Sequence, residues 1–559
     1  MGNQINRFKK LTTEIRPEDP PFSRYPRPQL KRDSYISLNG RWDNGINVPF
    51  PLESDLSGYK GTVGDKYTYT TEFELPRGFI KDRVLLHIDA ADRLAKVYVN
   101  GIFVISHEGG YLPFTADITE ALGSNPYDMV HTLRVDIVDG LDERYPYGKQ
   151  SLKRGGMWYT PVTGIWKNVW LESVPKYYIK SLEITPSLDG VTIDIDSDAE
   201  DFHVEITGRN GLVYSGIKCN GYFRIDIKDP ILWTPEDPHL YDLTIKTDTD
   251  LVTSYFGLRT VSVRKVDGVP RILLNEKPFF FHGVLDQGYY PEGIFLPNSE
   301  SGYEEDIRLL KSLGYNTLRK HIKIEPECFY EACDRMGMLV FQDMVNNGKY
   351  RYLHDTILPT LGDKKMNDMK SHVPSEVRTV FTKHMEDTVA HLYNHPSIVY
   401  YTIFNEGWGQ FESDMMYNIL KSMDMTRIVD SASGWFKQQR SDVESEHSYF
   451  GRYRFKEALR PTVLSEFGGY TLKVEDHVFN PDRTYGYGTC KTSEELTERI
   501  IEKYRNDVIP NIKKGLCGSI YTQLTDVEDE INGLFTYDRK ICKVNASKMR
   551  ELAEALTVE

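Results

Sequence analysis

Between Arg264 and Glu559, short apolar segments alternate eight times with segments of helical periodicity. This alternation constrains the fold more than any other feature. A strand too apolar to be half-exposed must be covered on both faces, and a helix after each strand supplies the cover a parallel sheet needs. The strand segments are 279–284 (FFFHGV), 316–319, 338–342, 397–404 (SIVYYTIF), 427–430, 443–447, 462–465 and 519–523. Between them, Ser301 and Glu304 read as a capping box. It opens a helix with Tyr303, Ile307 and Leu310 on one face and Gly314 as its stop. Glu327–Met336 reads as a helix ended by Gly337, and Ser375–Leu392 spaces Val377, Phe381, Met385 and Val389 about four apart. The pattern predicts a (β/α)8 TIM barrel over 265–559.

The chain before it reads as β structure. Segments 67–75 (YTYTTEFEL), 84–90 (VLLHIDA), 95–104 (AKVYVNGIFV) and 132–138 (TLRVDIV) are rich in β-branched and aromatic residues, and several alternate apolar with polar. Asn100-Gly101 favours a type I′ hairpin. No long helical pattern interrupts 35–175, which predicts a jelly-roll-like β-sandwich over 1–176. Short strands parted by turn residues over 177–264 predict a second, immunoglobulin-like sandwich. No repeat of 20–50 residues and no low-complexity tract is present.

Charge and composition narrow the function. With 68 Lys and Arg against 82 Asp and Glu, the net charge of −14 works against a nucleic-acid partner. There is no run of about 18 apolar residues to span a membrane. The opening MGNQINRFKKLTTE has no apolar core for a secretory leader, and Asn6 sits where a myristoylation motif takes Ser or Thr. Six cysteines without a CxxC suit reduced thiols in a cytosol, so a cytoplasmic location is expected.

In such a barrel, reacting groups come from the carboxyl ends of the strands. Asn405-Glu406-Gly407-Trp408 follows the fourth strand and Glu466-Phe467-Gly468 the seventh, while Asp286, His321, Asp343 and Tyr449 follow others. One carboxylate at a strand end is more often a solvated loop residue or a helix cap. Two of them after buried strands are what glycoside hydrolysis requires: one protonated, to give a proton to the leaving oxygen, and one ionised, to attack the anomeric carbon. The glycines that follow are expected to leave room for a ligand.

These residues resemble glycoside hydrolase family 2, which includes β-galactosidases, β-glucuronidases and β-mannosidases. LNGRW, VYVNG, HEGGYLPFTADIT and TGIWKNVWLE resemble its sugar-binding sandwich. LWTPEDPHLYDLTI and FGLRTV resemble its middle domain, and FHGV, NTLRKH, YEACDRMGMLVFQD, FNEGWGQ and VLSEFGG its barrel. The resemblance implies a retaining mechanism with Glu406 as acid/base and Glu466 as nucleophile. It implies that Asn405 bonds the sugar 2-hydroxyl, that Tyr449 orients the nucleophile, and that Arg319 pairs with Glu466 or makes a structural salt bridge. His321 is offset by one from the family's His. Asp286 and Asp343 are candidate sugar-hydroxyl acceptors, and Trp408 and Trp435 are candidates for sugar stacking or for core. No metal or cofactor is implied. The chain also departs from the family. It has no clear Asn-x-Lys pair of the kind that reads a uronate, and Asp526, Glu528, Asp529 and Glu530 would repel one. The stretch 154–166 lacks the acid of family β-galactosidases, and 519–526 lacks the usual Trp. The expected function is an exo-acting retaining β-glycosidase of the short three-domain form, β-galactosidase-like. The alternatives are β-glucuronidase, β-galacturonidase or arabinopyranosidase specificity, or a non-catalytic carbohydrate-binding protein. The partner is a carbohydrate substrate, and a homo-oligomer is left open.

Overall fold

The computed structural model describes residues 11–16, 19–361 and 366–558. The opening ten residues, read above for a leader, lie outside these, and no described helix is long and apolar enough to cross a membrane.

The first sandwich pairs two antiparallel four-stranded sheets. One runs Tyr35–Ser37, Val169–Val174, Arg83–Ile88, Phe114–Asp117. The other runs Lys66–Phe73, His131–Val138, Leu94–Val99, Ile102–Glu108. Alternate residues fill the space between them: Val84, Leu86 and Ile88 meet Val97, Val99, Leu133, Val135 and Ile137. Asn100 and Gly101 both take positive φ, 51° and 78°, the geometry expected of a type I′ turn. The second sandwich has sheets of three and four strands around Val191, Ile193, Val204, Ile206, Leu243 and Ile245.

The barrel strands are β1 Phe281–Asp286, β2 Thr317–Lys320, β3 Leu339–Asp343, β4 Ile398–Asn405, β5 Ile428–Ser433, β6 Glu444–Ser448, β7 Thr462–Gly468 and β8 Leu516–Thr522. They form one parallel sheet in the order β5-β4-β3-β2-β1-β8-β7-β6. Side chains bridge the seam between β5 and β6: Ser433 Oγ lies 3.1 Å from Ser445 Oγ and 3.0 Å from His447 Nε2. The amino-terminal mouth is plugged by a hairpin of Val261–Val266 and Val269–Leu274. Its Val261, Ile272 and Leu274 pack under Phe281, Phe341, Tyr400 and Ile520. The hairpin crosses the 264/265 boundary read from the sequence. With that end filled, the carboxyl mouth is the open one.

Helices α1 Ser301–Ser312, α2 Glu327–Met336 and α3 Ser375–Leu392 bury the expected residues, including Tyr303, Ile307, Phe381 and Met385. The capping box does not form, because α1 starts at Ser301 itself with Glu300 as N-cap and no side-chain cap.

Candidate active site

All eight residues of β4 are buried, and Glu406 is the first residue beyond it. Its N–H donates to Ser433 O at 3.1 Å and its carbonyl accepts from Trp435 Nε1 at 3.0 Å. Between these anchors Glu406 takes φ 54°, a left-handed conformation that a non-glycine residue holds only where its surroundings enforce it. Gly407 follows at φ 76°, and a Cβ there would meet Phe436 Cδ2 at 2.3 Å. Gly468, two residues after Glu466 in β7, would likewise drive a Cβ to 2.4 Å from Tyr521 Cε2. Both glycines therefore admit an aromatic ring of the protein, not the ligand expected from sequence.

A carboxylate oxygen of Glu406, one of Glu466 and a ring nitrogen of His447 all lie within 4.8 Å of one another. Arg319, fully buried on β2, ties the set together. Its Nη1 donates to Glu466 Oε1 at 3.1 Å, its Nη2 to Asn405 Oδ1 at 2.9 Å and its Nε to Asp343 Oδ1 at 2.9 Å. The Tyr449 hydroxyl donates to Glu466 Oε2, and its ring stacks on Tyr487 with centroids 4.3 Å apart. Burial pushes the Glu466 carboxyl up, but the His447 ring, the Arg319 guanidinium and the His321 ring beside it outweigh that and hold the group well below the usual carboxylate range. Asn405 accepts from Arg319, while its amide hydrogens have no partner among the described residues.

Other expected site residues are placed differently. Asp343 uses Oδ1 on Arg319 and Oδ2 on His321 Nδ1, 2.8 Å away. It supports Arg319 and His321 and is not the open sugar-hydroxyl acceptor expected. His321 is buried, which lowers its basicity. Asp286 is not brought to the carboxylate pair. Successive strand residues point to opposite faces, so Lys320 turns away from the side where Arg319 meets Glu466. Asp286 Oδ2 accepts from Lys320 Nζ at 2.6 Å, in a network that includes Glu325 and Lys323. Trp408 is only 2% exposed. It sits behind Trp158 and Tyr350, with ring centroids 5.2 and 5.6 Å away, so it is core behind the aromatic wall and no sugar platform. Trp435 supports the Glu406 backbone through its indole N–H.

Sequence reading passed over His447. Its signal was the alternation of β6: Ser445 and His447 are buried while Glu444, Glu446 and Ser448 are less so. Reading missed Lys149 and Trp158, which pack together beside Tyr350, and Tyr485 and Tyr487, which pack beside Tyr449, because only folding brings these side chains together. A loop of the first sandwich covers one side, where the Tyr147 hydroxyl donates to Gly348 O at 2.9 Å. Arg154 Nη1 in the same loop lies 3.4 Å from Glu528 and 3.3 Å from Asp529, and Lys543 neutralises Asp526 at 2.7 Å. Three of the four acids thus have a cation beside them, two of them sharing Arg154, and the tract is not the uniform repelling patch expected. Glu530 differs. Its side chain is bonded by the Tyr159 hydroxyl and by Asn532 Nδ2 (2.9 Å), both neutral, and burial raises its carboxyl.

Glu406, His447 and Glu466 are the one group among the described residues spaced to hold a metal ion. Two of the donors already serve each other, since His447 Nδ1 lies 2.7 Å from Glu406 Oε1, and Arg319 neutralises Glu466. The donor set suits a pair of reacting carboxylates better than a cation.

Family models match most of the chain: the glycosyl hydrolases family 2 sugar binding domain at 24–175, the glycosyl hydrolases family 2 model at 177–259 and that family's TIM barrel domain at 265–471. The β-glucuronidase of Homo sapiens is 25% identical over 89% of this chain and 84% of that protein. The β-glucuronidase of Rattus norvegicus is 29% identical over 82% and 74%. The β-galactosidase of Thermoanaerobacter pseudethanolicus is 26% identical over 49% of this chain and 39% of that protein. The solved β-D-glucuronidase of Dictyoglomus thermophilum shares the fold with a TM-score of 0.75 at 20% identity, covering 95% of this chain and 99% of that one. With three consecutive domain models of one family matched across a chain whose barrel mouth carries two facing carboxylates, the protein belongs to glycosyl hydrolase family 2 and is a glycoside hydrolase.

Proposed function

We propose that the chain is an exo-acting, retaining β-glycosidase for a neutral, galactose-like glycone, with Glu406 as general acid/base and Glu466 as nucleophile. The spacing of the two carboxylates carries this reading. Oxygens within 4.8 Å suit the roughly 5–5.5 Å separation of a double displacement and leave no room for the water that an inverting pair, about 6.5–9.5 Å apart, must hold.

Chemistry follows from the placement. Glu466, kept ionised with the Arg319 guanidinium beside it, attacks the anomeric carbon while Glu406 gives its proton to the departing oxygen. A glycosyl ester on Glu466 results. Glu406, now a carboxylate, takes a proton from water, which attacks the same carbon and releases Glu466. Arg319 and the Tyr449 hydroxyl orient the nucleophile. The free amide hydrogens of Asn405 reach for the 2-hydroxyl, whose hydrogen bonds strengthen as positive charge grows on the ring.

The neutral glycone rests on Glu530. It is close enough to Glu466 for their charges to oppose each other, and both oxygens are bonded by neutral groups. A uronate there would add a negative charge that no cation of the β8 loop offsets. A second reading, glucuronide hydrolysis, has one observation in its favour besides the relatives' names. Lys149 of the sandwich loop is close enough for its charge to act on both His321 and Glu530.

A panel of nitrophenyl galactosides, glucosides, mannosides, glucuronides, galacturonides and arabinopyranosides decides. We expect kcat/KM for the galactoside to exceed that for the glucuronide by about 100-fold, as one unmatched buried charge costs several kcal/mol. The reverse order would reject the neutral glycone. A 2-deoxy-2-fluoro glycoside inactivator should label the peptide bearing Glu466, and label elsewhere would remove the nucleophile assignment. Equal inertness of wild type and Glu466→Ala across the panel would leave a carbohydrate-binding protein.

Arg319 supplies a further expected result. Arg319→Ala leaves Asp343 and Glu466 buried with one cation fewer. The unfolding free energy should drop by about 3–5 kcal/mol, read by urea denaturation. Glu466 also loses a charge that holds its carboxyl down. The ionised form then persists only above a higher pH, so the acid limb of kcat/KM moves upward.

A further inference from the structure

His447 touches both carboxylates of the pair, yet nothing in the mechanism above uses it. Its side chain is fully buried on β6, at the seam with β5. Nδ1 lies 2.7 Å from Glu406 Oε1 and Nε2 lies 3.0 Å from Ser433 Oγ. The distance from Nε2 to Glu466 Oε1 is 3.6 Å, too long for a hydrogen bond. The ring's place is prepared by its neighbours. Gly434 has φ 86°, and a Cβ on it would come within 2.8 Å of His447 Nδ1. Trp435 sets its ring edge-on at 5.6 Å, and its indole N–H holds the Glu406 carbonyl. One loop therefore fixes both the imidazole and the backbone of the residue that the imidazole bonds.

We propose that His447 is a positioning residue of the acid step, whose Nδ1–H holds Glu406 Oε1 so that the transferable hydrogen sits on Oε2. The proposal rests on the acid/base reading of Glu406. A protonated carboxyl has one oxygen that accepts and one that donates. A donor fixed on Oε1 makes that oxygen the acceptor and leaves Oε2, which has no hydrogen-bond partner among the described residues, as the one facing the glycosidic oxygen. The Ser433 hydroxyl, 3.0 Å from Nε2, gives the ring's second nitrogen a partner of its own and leaves Nδ1 to Glu406. During the reaction the proton passes from Oε2 to the leaving oxygen while His447 keeps its own. Negative charge then appears on Glu406, and the Nδ1–H bond becomes charge-assisted and stronger. The interaction is worth more in the transition state than in the ground state, so its loss should fall on kcat rather than on KM.

The test compares His447→Ala, His447→Asn and Ser433→Ala on aryl glycosides of the preferred glycone. One leaving group is 2,4-dinitrophenol, which needs little acid help, and the other is a poor phenol. For His447→Ala we expect kcat to fall about 10–100-fold on the poor leaving group, the worth of a hydrogen bond to a charged group, and by less than about 3-fold on the dinitrophenyl glycoside. KM should stay within about 2-fold. The side-chain amide of His447→Asn offers an N–H without titrating and should restore most of the loss. Ser433→Ala removes the ring's partner at Nε2, loosens the imidazole and should reproduce the same leaving-group signature more weakly; it serves alone if His447→Ala does not fold. Glu406→Ala is measured alongside. If it depends on the leaving group while the His447 and Ser433 variants lose activity equally on both substrates, the positioning role is overturned and the acid/base reading stands. If Glu406→Ala itself shows no such dependence, both fall.

Discussion

Glu466→Ala stops turnover: on an aryl β-glycoside of the preferred glycone we expect kcat to fall on the order of 10^5-fold, as when the nucleophile of a covalent mechanism is removed. The protein should stay folded, because Arg319 keeps Asp343 and Asn405 as partners after the substitution. The informative arm is rescue. The shortened side chain leaves space on the face that Glu466 occupied, and azide entering there attacks the anomeric carbon directly, with Glu406 still protonating the leaving group. One displacement inverts the centre, so the product is the α-glycosyl azide. NMR of the product distinguishes it from the β-anomer. A β-azide, or a variant retaining more than about a hundredth of wild-type kcat, would mean that another group forms the covalent bond.

The same geometry explains what could be read from the chain and what could not. The barrel was legible because each strand is a continuous apolar run, and burial on both faces leaves few other places for SIVYYTIF to go. Glu406 and Glu466 were legible because such strands fix where their carboxyl ends emerge. The residues around them depend on finer facts. Arg319 and Lys320 are neighbours that point to opposite faces, and the second takes Asp286 with it. Strand ends alone do not say which of two adjacent charges faces inward. His447 lies in ESEHS, a segment polar enough to read as exposed, although its two-residue alternation marked the inner face. The acidic tract after β8 read as a field of like charge. Arg154, more than 370 positions away, is shared by two of its four acids and Lys543 pairs a third, and no local pattern announces such pairings. Non-local contacts of this kind also decide that Trp408 is core: its ring is covered by Trp158 from another domain.

Glu406→Ala should separate the two halves of the reaction. Departure of 2,4-dinitrophenolate needs little proton donation, so glycosylation by that substrate should survive nearly intact. The glycosyl ester on Glu466 then waits for a water that no base activates. The ester accumulates, a burst of phenolate precedes slow turnover, and KM falls with kcat. A poor phenol or an alkyl glycoside should lose about 10²–10⁴-fold in kcat/KM, the usual worth of a general acid. Azide needs no base and should restore turnover on the activated substrate. Because it attacks the ester on Glu466 in a second displacement, the product is the β-glycosyl azide, opposite in configuration to that from Glu466→Ala. The two variants thus check each other through one chiral centre: the anomer follows from which carboxylate remains. Equal losses on good and poor leaving groups, or no effect of azide, would take the acid/base role from Glu406. The closeness of the two carboxylates would then need another explanation.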